Sequence, residues 1–125
     1  MRFKLNSKKT ILIVDDDVEL VSLMQELFES EGFKILTAYS GNQAIKVFES
    51  NRDLIDIIFS DIRMPDGDGV FLLKKIRQMS NPNPLVVLHS GYSEMTKLQA
   101  IELGAVNLIQ KPADFKQLLS YLASL

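Results

Sequence analysis

Five short apolar runs, each followed by a stretch of helical period, limit the fold of this chain more than any other feature. The runs cover residues 10–14, 33–38, 56–60, 85–89 and 106–110. A strand buried on both faces reads as a continuous apolar run, whereas a strand wet on one face alternates. Ile11-Leu12-Ile13-Val14 and Leu85-Val86-Val87-Leu88 are continuous. The intervening segments place apolar residues at helical spacing: 20, 21, 24, 27 and 28; 44, 45 and 48; 72, 73 and 76; 98 and 101; 115, 118, 119 and 122. Asp17, Ser40 with Gln43, Ser93, and Asp114 with Gln117 are placed to cap helix N-termini, and Gly32 and Gly104 to end helices. Asn81-Pro82-Asn83-Pro84 breaks the third helix. No Asn-Gly turn joins two strands. The alternation predicts an α/β fold, a single doubly wound (βα)5 domain with a five-stranded parallel sheet and helices on both faces.

In open parallel sheets, sites form beyond the C-terminal ends of the strands. The first strand runs into Asp15-Asp16-Asp17, the third into Ser60-Asp61, the fourth into His89-Ser90-Gly91 and the fifth into Gln110-Lys111-Pro112. The second ends in Tyr39-Ser40, without an acid or an amine. If the polar ends share one site, strand one neighbours strand three, strands four and five follow outward, and strand two takes the far edge. The strand order predicted is 2-1-3-4-5. It rests on the chemistry of a shared site, because periodicity alone does not give it.

The length of 125 residues fits one domain, read as a basic tail over 1–9 followed by a folded unit over 10–125. A net charge of -2 gives no electrostatic footprint for nucleic acid or an anionic membrane. The chain lacks cysteine, which excludes disulfides and thiolate chemistry. No apolar run approaches a membrane span, and the basic start leads into a run too short, and too acidic at its end, for a signal peptide. The cytoplasm is the expected compartment.

Carboxylates gathered at adjacent strand ends repel one another and need a counter-charge. A hard divalent cation takes oxygen ligands, and Mg²⁺ in particular accepts one or two carboxylates together with waters and phosphate oxygens. Lys111 supplies a second positive charge, Ser90 a hydroxyl, and Gly91 lets a ligand approach the backbone N–H. Acids, cation, amine and hydroxyl form an inventory suited to a phosphoryl group. There is no GxxxxGK[ST] loop for a nucleotide. An aspartate can itself be the nucleophile.

Val14-Asp15-Asp16, then Asp61 followed by Met64-Pro65-Asp66-Gly67-Asp68-Gly69, then Ser90-Gly91, then Lys111-Pro112 resemble the receiver domain of two-component response regulators, over about residues 10–125. The resemblance implies a phosphorylation-dependent switch. In it Asp61 is the phosphoacceptor. Asp16 ligates Mg²⁺ directly, Asp15 does so through water, and Asp61 and the Arg63 backbone carbonyl complete the set. Ser90 hydrogen-bonds the phosphoryl group and Lys111 pairs with it, with a cis bond to Pro112. The implied donor is a histidine kinase or a phosphotransfer protein. The implied output surface is the face of the fourth helix, fifth strand and fifth helix, including Lys97, Leu108, Phe115 and Leu119, open to a second copy or to an output partner. Direct nucleic-acid binding is not implied, nor is enzymatic turnover. Leu108 stands where many members carry a switch aromatic, and Ala113 where a Phe often follows the Lys-Pro pair.

Plainer roles suit other residues. Asp17 reads as a cap, Asp66 and Asp68 as turn residues, and His89 as a structural histidine ending a buried strand. Arg63 and Tyr92, each two positions beyond a site residue, are candidates to flank the phosphoryl group. Two rival functions remain open on sequence: a Mg²⁺-dependent phosphohydrolase with an Asp nucleophile, or a non-phosphorylated binding module. Glu19 stands where the Asp15-x-Asp17 hydrolase pattern wants Thr, and the module would be marked by loss of Asp16, Asp61 or Lys111, none of which is lost.

Overall fold

The computed structural model describes residues 9–91 and 95–125. Most of the basic tail, together with Tyr92 and Ser93, lies outside the described residues. The elements alternate as the periodicity requires: β1 (Thr10–Val14), α1 (Val18–Ser30), β2 (Lys34–Ala38), α2 (Gly41–Ser50), β3 (Ile57–Asp61), α3 (Gly69–Met79), β4 (Leu85–Ser90), α4 (Lys97–Glu102), β5 (Asn107–Gln110) and α5 (Phe115–Ser124). All pairings are parallel, and the order is β2-β1-β3-β4-β5. Strand ends move by a residue from the sequence reading. β3 runs through Asp61 and β4 through Ser90, because Asp61 and His89 are still paired in the ladder, as are Ser90 and Gln110.

The sheet separates two apolar layers. Leu12, Val14, Ile58, Val86 and Leu88 pack with Ala44, Phe48, Leu72, Leu73, Ile76 and Ala100, which places α2, α3 and α4 on one face. Ile11, Ile13, Ile57, Phe59 and Val87 pack with Val21, Met24, Phe28, Leu118 and Leu122, which places α1 and α5 on the other. The central strands are buried on both faces, so they lack alternation; β2 and β5, at the edges, are only partly buried. Each fully buried Leu, Ile or Phe side chain contributes about 1.5–3 kcal/mol relative to exposure.

The caps hold with three changes. Asp17, Ser40 and Asp114 accept backbone N–H bonds as the sequence suggests, and Asp68, read as a turn residue, also caps α3. The Gln43 side chain closes its half of the Ser40 box on the N–H of Tyr39 rather than of Ser40. The cap of α4 is Thr96, not Ser93: Thr96 and Gln99 form a complete box, so the helix starts later than expected. In the resulting short helix only Ala100 is buried, while Leu98 and Ile101 are exposed.

Candidate functional site

The three consecutive acids after β1 separate into three environments. Asp15 prolongs the strand pairing, its N–H donating to the Ala38 carbonyl at 3.2 Å, and its carboxyl is buried. Its Oδ1 accepts the Asp17 N–H at 2.9 Å. Asp16 is exposed, and Asp17 turns away to accept the Leu20 N–H at 3.1 Å. β3 lies next to β1 and delivers Asp61 beside Asp15. One carboxylate oxygen from each of Asp15, Asp16 and Asp61 falls within 4.8 Å of the others.

Lys111 reaches this cluster from the end of β5. Its Nζ lies 3.3 Å from Asp15 Oδ2 and 3.5 Å from Asp61 Oδ1. Its backbone N–H donates to the Ser90 carbonyl at 2.7 Å, and the bond to Pro112 is cis, as the resemblance implied. Ser90 ends β4, buried, on the strand beside Asp61. Asp61 Oδ1 also accepts the N–H of Ile62 at 2.9 Å. The start of α3 closes against the same strand end: a Cβ on Gly69 would stand 2.3 Å from the Asp61 carbonyl oxygen, so only glycine lets the helix approach. Gly91 is under no such demand, since a Cβ there would meet only Lys111 Cδ at 3.8 Å.

The charges do not balance. Burial raises the pKa of Asp15 above the ordinary carboxylate value, with a further push from Asp16, against the Asp17 N–H and Lys111. Burial also raises Asp61, and the charge of Asp15 adds to it. For Lys111 burial pulls downward, but Asp15 and Asp61 together outweigh it and raise its pKa. One ammonium therefore pairs with Asp15 and Asp61, beside the exposed Asp16, and these ion pairs fall short of offsetting the burial of the two carboxylates they join. An all-oxygen donor set that is short of positive charge is the environment a hard divalent cation fits.

The remaining residues singled out in the sequence add no carboxylate to this cluster. His89 is buried, its ring stacked on Phe59 at 4.8 Å, and its Nε2 has no hydrogen-bond partner among the described residues. Burial, aided by the Lys111 charge, lowers its pKa from 6.5 to about 4, so it is neutral at pH 7 and structural in character. Arg63 sits exposed in the loop leaving β3. Leu108 is buried against the α4 layer, while Phe115 and Leu119 line a groove of about 540 Å³ with Leu27, Glu31 and Phe33. Leu98 and Ile101 on α4, and Val106 just before β5, are exposed apolar positions. Asp66 was read as an ordinary turn residue, but it makes side-chain contacts with Ser40 and Asn42 that no local pattern signals.

A model of the response regulator receiver domain matches residues 11–123. The chain belongs to that family. The receiver is 38% identical over 110 residues to the transcriptional regulatory protein CpxR of Escherichia coli (strain K12), covering 88% of this chain and 46% of that protein. It is 32% identical over 114 residues to ZraR of Salmonella typhimurium, covering 91% and 25%. The receiver thus spans about half the length of the first relative and a quarter of the second. Among solved structures, the CheX-CheY-BeF3-Mg complex from Borrelia burgdorferi matches with a TM-score of 0.88 and 32% identity, covering 99% of this chain and 93% of that one. The response regulator TrrA from Thermotoga maritima, in complex with Mg-BeF, matches with a TM-score of 0.81 and 29% identity, covering 93% and 97%. The receiver assignment, the doubly wound fold and the strand order read from the sequence all stand. No described helix of the receiver is long and apolar enough to cross a membrane.

Proposed function

We propose that this receiver accepts a phosphoryl group on Asp61 from the phosphohistidine of a histidine kinase or phosphotransfer protein. The observation that carries the reading is the convergence of Asp15, Asp16 and Asp61 within 4.8 Å, with Lys111 bridging two of them. Asp15, Asp16, Asp61 and the Arg63 carbonyl would hold Mg²⁺, which when bound offsets the negative charge of the acids and of the incoming phosphoryl oxygens. The Ile62 N–H and Lys111 both hold Oδ1 of Asp61. The other carboxylate oxygen attacks phosphorus. A P–O bond to Asp61 forms as the P–N bond to the donor imidazole breaks, and the bonding pair leaves with the imidazole. Lys111 then pairs with the new phosphoryl oxygens, and the Ser90 hydroxyl donates to one of them. The chain is consumed as the acceptor in this step and turns over no substrate. A phosphohistidine donor places it in the cytoplasm.

The test has two arms. Titrating Mg²⁺ should shift amide resonances near residues 15, 61 and 111, and Asp16→Ala should weaken that binding without unfolding the chain. Shifts confined to Asp66 and Asp68 would remove the shared site. Acetyl phosphate with Mg²⁺ should then add one alkali-labile phosphoryl group, seen by intact mass. Steady release of phosphate from a small phosphomonoester would instead favour the hydrolase.

The output follows from differential bonding. Only in the phosphorylated state does Ser90 gain a charge-assisted hydrogen bond and Lys111 exchange carboxylate partners for phosphoryl oxygens, which is the energy difference a population shift requires. Leu98, Ile101 and Val106 then form the face offered to an output partner or a second copy. Beryllofluoride should change amide exchange from Met95 through Leu103. Unchanged exchange there, with Asp61 demonstrably occupied, means the coupling runs elsewhere.

A further inference from the structure

The loop between β3 and α3 is fastened to the start of α2 by an arrangement that no local sequence pattern explains. A helix leaves its first N–H groups without intrahelical partners. In α2 the N–H of Gly41 donates to the Gly67 carbonyl at 2.7 Å, and that of Asn42 to the Asp66 carbonyl at 3.1 Å. Gln43 N–H donates to Ser40 Oγ at 3.0 Å. Two of these three donors are therefore satisfied by the loop rather than by the helix's own cap. The approach is close: a Cβ on Gly41 would stand 2.6 Å from the Gly67 carbonyl oxygen.

Asp66 closes the junction from the side-chain direction. Its Oδ2 accepts the Ser40 hydroxyl at 3.1 Å and its Oδ1 the Asn42 amide at 2.8 Å. It does so at φ 60, in the left-handed region that most L-residues adopt only at a cost and that glycine adopts freely. A strained position held by a residue whose carboxylate engages two partners is one where the side chain compensates for the backbone.

The other end of the loop is pinned independently. Gly69 N–H donates to the Ile62 carbonyl at 2.8 Å, directly after Asp61. Arg63 lies between these two anchors. We propose that Asp66 is a positioning residue for the cation site: by tying the loop tip to the N-terminus of α2, it holds the backbone at Arg63 in register with Asp15, Asp16 and Asp61. The proposal rests on the metal reading given above. Groups that orient metal ligands without touching the metal are worth about 10–100-fold in affinity.

The test uses Asp66→Gly, which suits the φ and removes both side-chain bonds; Asp66→Asn, which keeps an acceptor and tolerates the left-handed region; and Asn42→Ala, an exposed change outside the cap. Mg²⁺ affinity is measured by amide-shift titration, urea unfolding in chelator gives stability, and amide exchange is followed in the metal-free protein. Asp66→Gly should weaken Mg²⁺ binding about tenfold. Its urea midpoint should stay near wild type, with faster exchange confined to residues 62–68. Asn42→Ala should weaken binding less, and Asp66→Asn should recover most of it. Wild-type affinity in Asp66→Gly overturns the proposal, as does a loss of affinity matched by faster exchange across the whole domain. If Asp66→Gly does not fold, Asn42→Ala decides by the same two criteria. If the wild-type chain itself binds no Mg²⁺, the metal reading fails, and the positioning role fails with it.

Discussion

Asp61→Asn should abolish labelling by acetyl phosphate and Mg²⁺, leaving no phosphoryl group detectable by intact mass. An amide is a poor nucleophile toward phosphorus, and no other described carboxylate combines a strand-end position with contact to Lys111 except Asp15, whose Oδ1 is held by Asp17 and whose Oδ2 faces the lysine. The same substitution should also stabilise the metal-free protein at neutral pH. Burial and Asp15 raise the Asp61 pKa, so its ionised form disfavours the folded state, and an uncharged isostere removes that cost. This gain should shrink as pH falls and the wild-type carboxyl becomes protonated. Undiminished labelling of the variant, or label recovered as phosphohistidine on His89, counts against Asp61 as the acceptor.

The second large effect is an acid sensitivity set by His89. Its folded pKa is about 4 against 6.5 in the unfolded chain. Between those values the unfolded chain binds a proton that the folded one refuses, so stability falls as pH drops through the window and levels off below it. The full loss is on the order of 3 kcal/mol. Asp15 and Asp61, with raised pKa values, act in the opposite direction in the metal-free protein, so the histidine is best isolated by difference. His89→Phe retains a ring to stack on Phe59 and cannot titrate. Urea unfolding in chelator at pH 7 and at pH 4 should show the variant losing less stability than the wild type. Equal losses would mean that His89 is solvated or protonated in the folded state.

The fold was legible because both of its main constraints are local. Continuous apolar runs such as Leu85-Val86-Val87-Leu88 demand burial on both faces, and the stripe of Leu72, Leu73 and Ile76 demands a helix to cover one of them. The strand order followed from a chemical premise, that Asp15, Asp61 and Lys111 share a site, and the distances among them bear that premise out. The cap of α4 was misplaced although its signal was present: Thr96 and Gln99 have the box spacing, and Ser93 merely came first. Leu108, Phe115 and Leu119 belong together only through the output face that the resemblance implies; the sheet itself places Leu108 in one layer and the other two in the opposite one. The junction of Asp66 with Ser40 and Asn42 joins residues 26 and 24 positions apart, and nothing in either segment alone announces it. The stacking of His89 on Phe59 is equally a product of pairing between strands.

Asp15 and Lys111 meet across 96 positions of sequence, and this has a consequence during synthesis. A growing chain presents its acids first, then Asp61, and acquires their ammonium only when β5 is complete. At typical elongation rates about 3–10 s separate the emergence of Asp61 from that of Lys111. Through that interval the proposed acceptor carboxylate exists without the ammonium that pairs with it in the folded chain. On the reading proposed above, a kinase that met the nascent chain would find an acceptor without its lysine, and the site is complete only once β5 has joined the sheet.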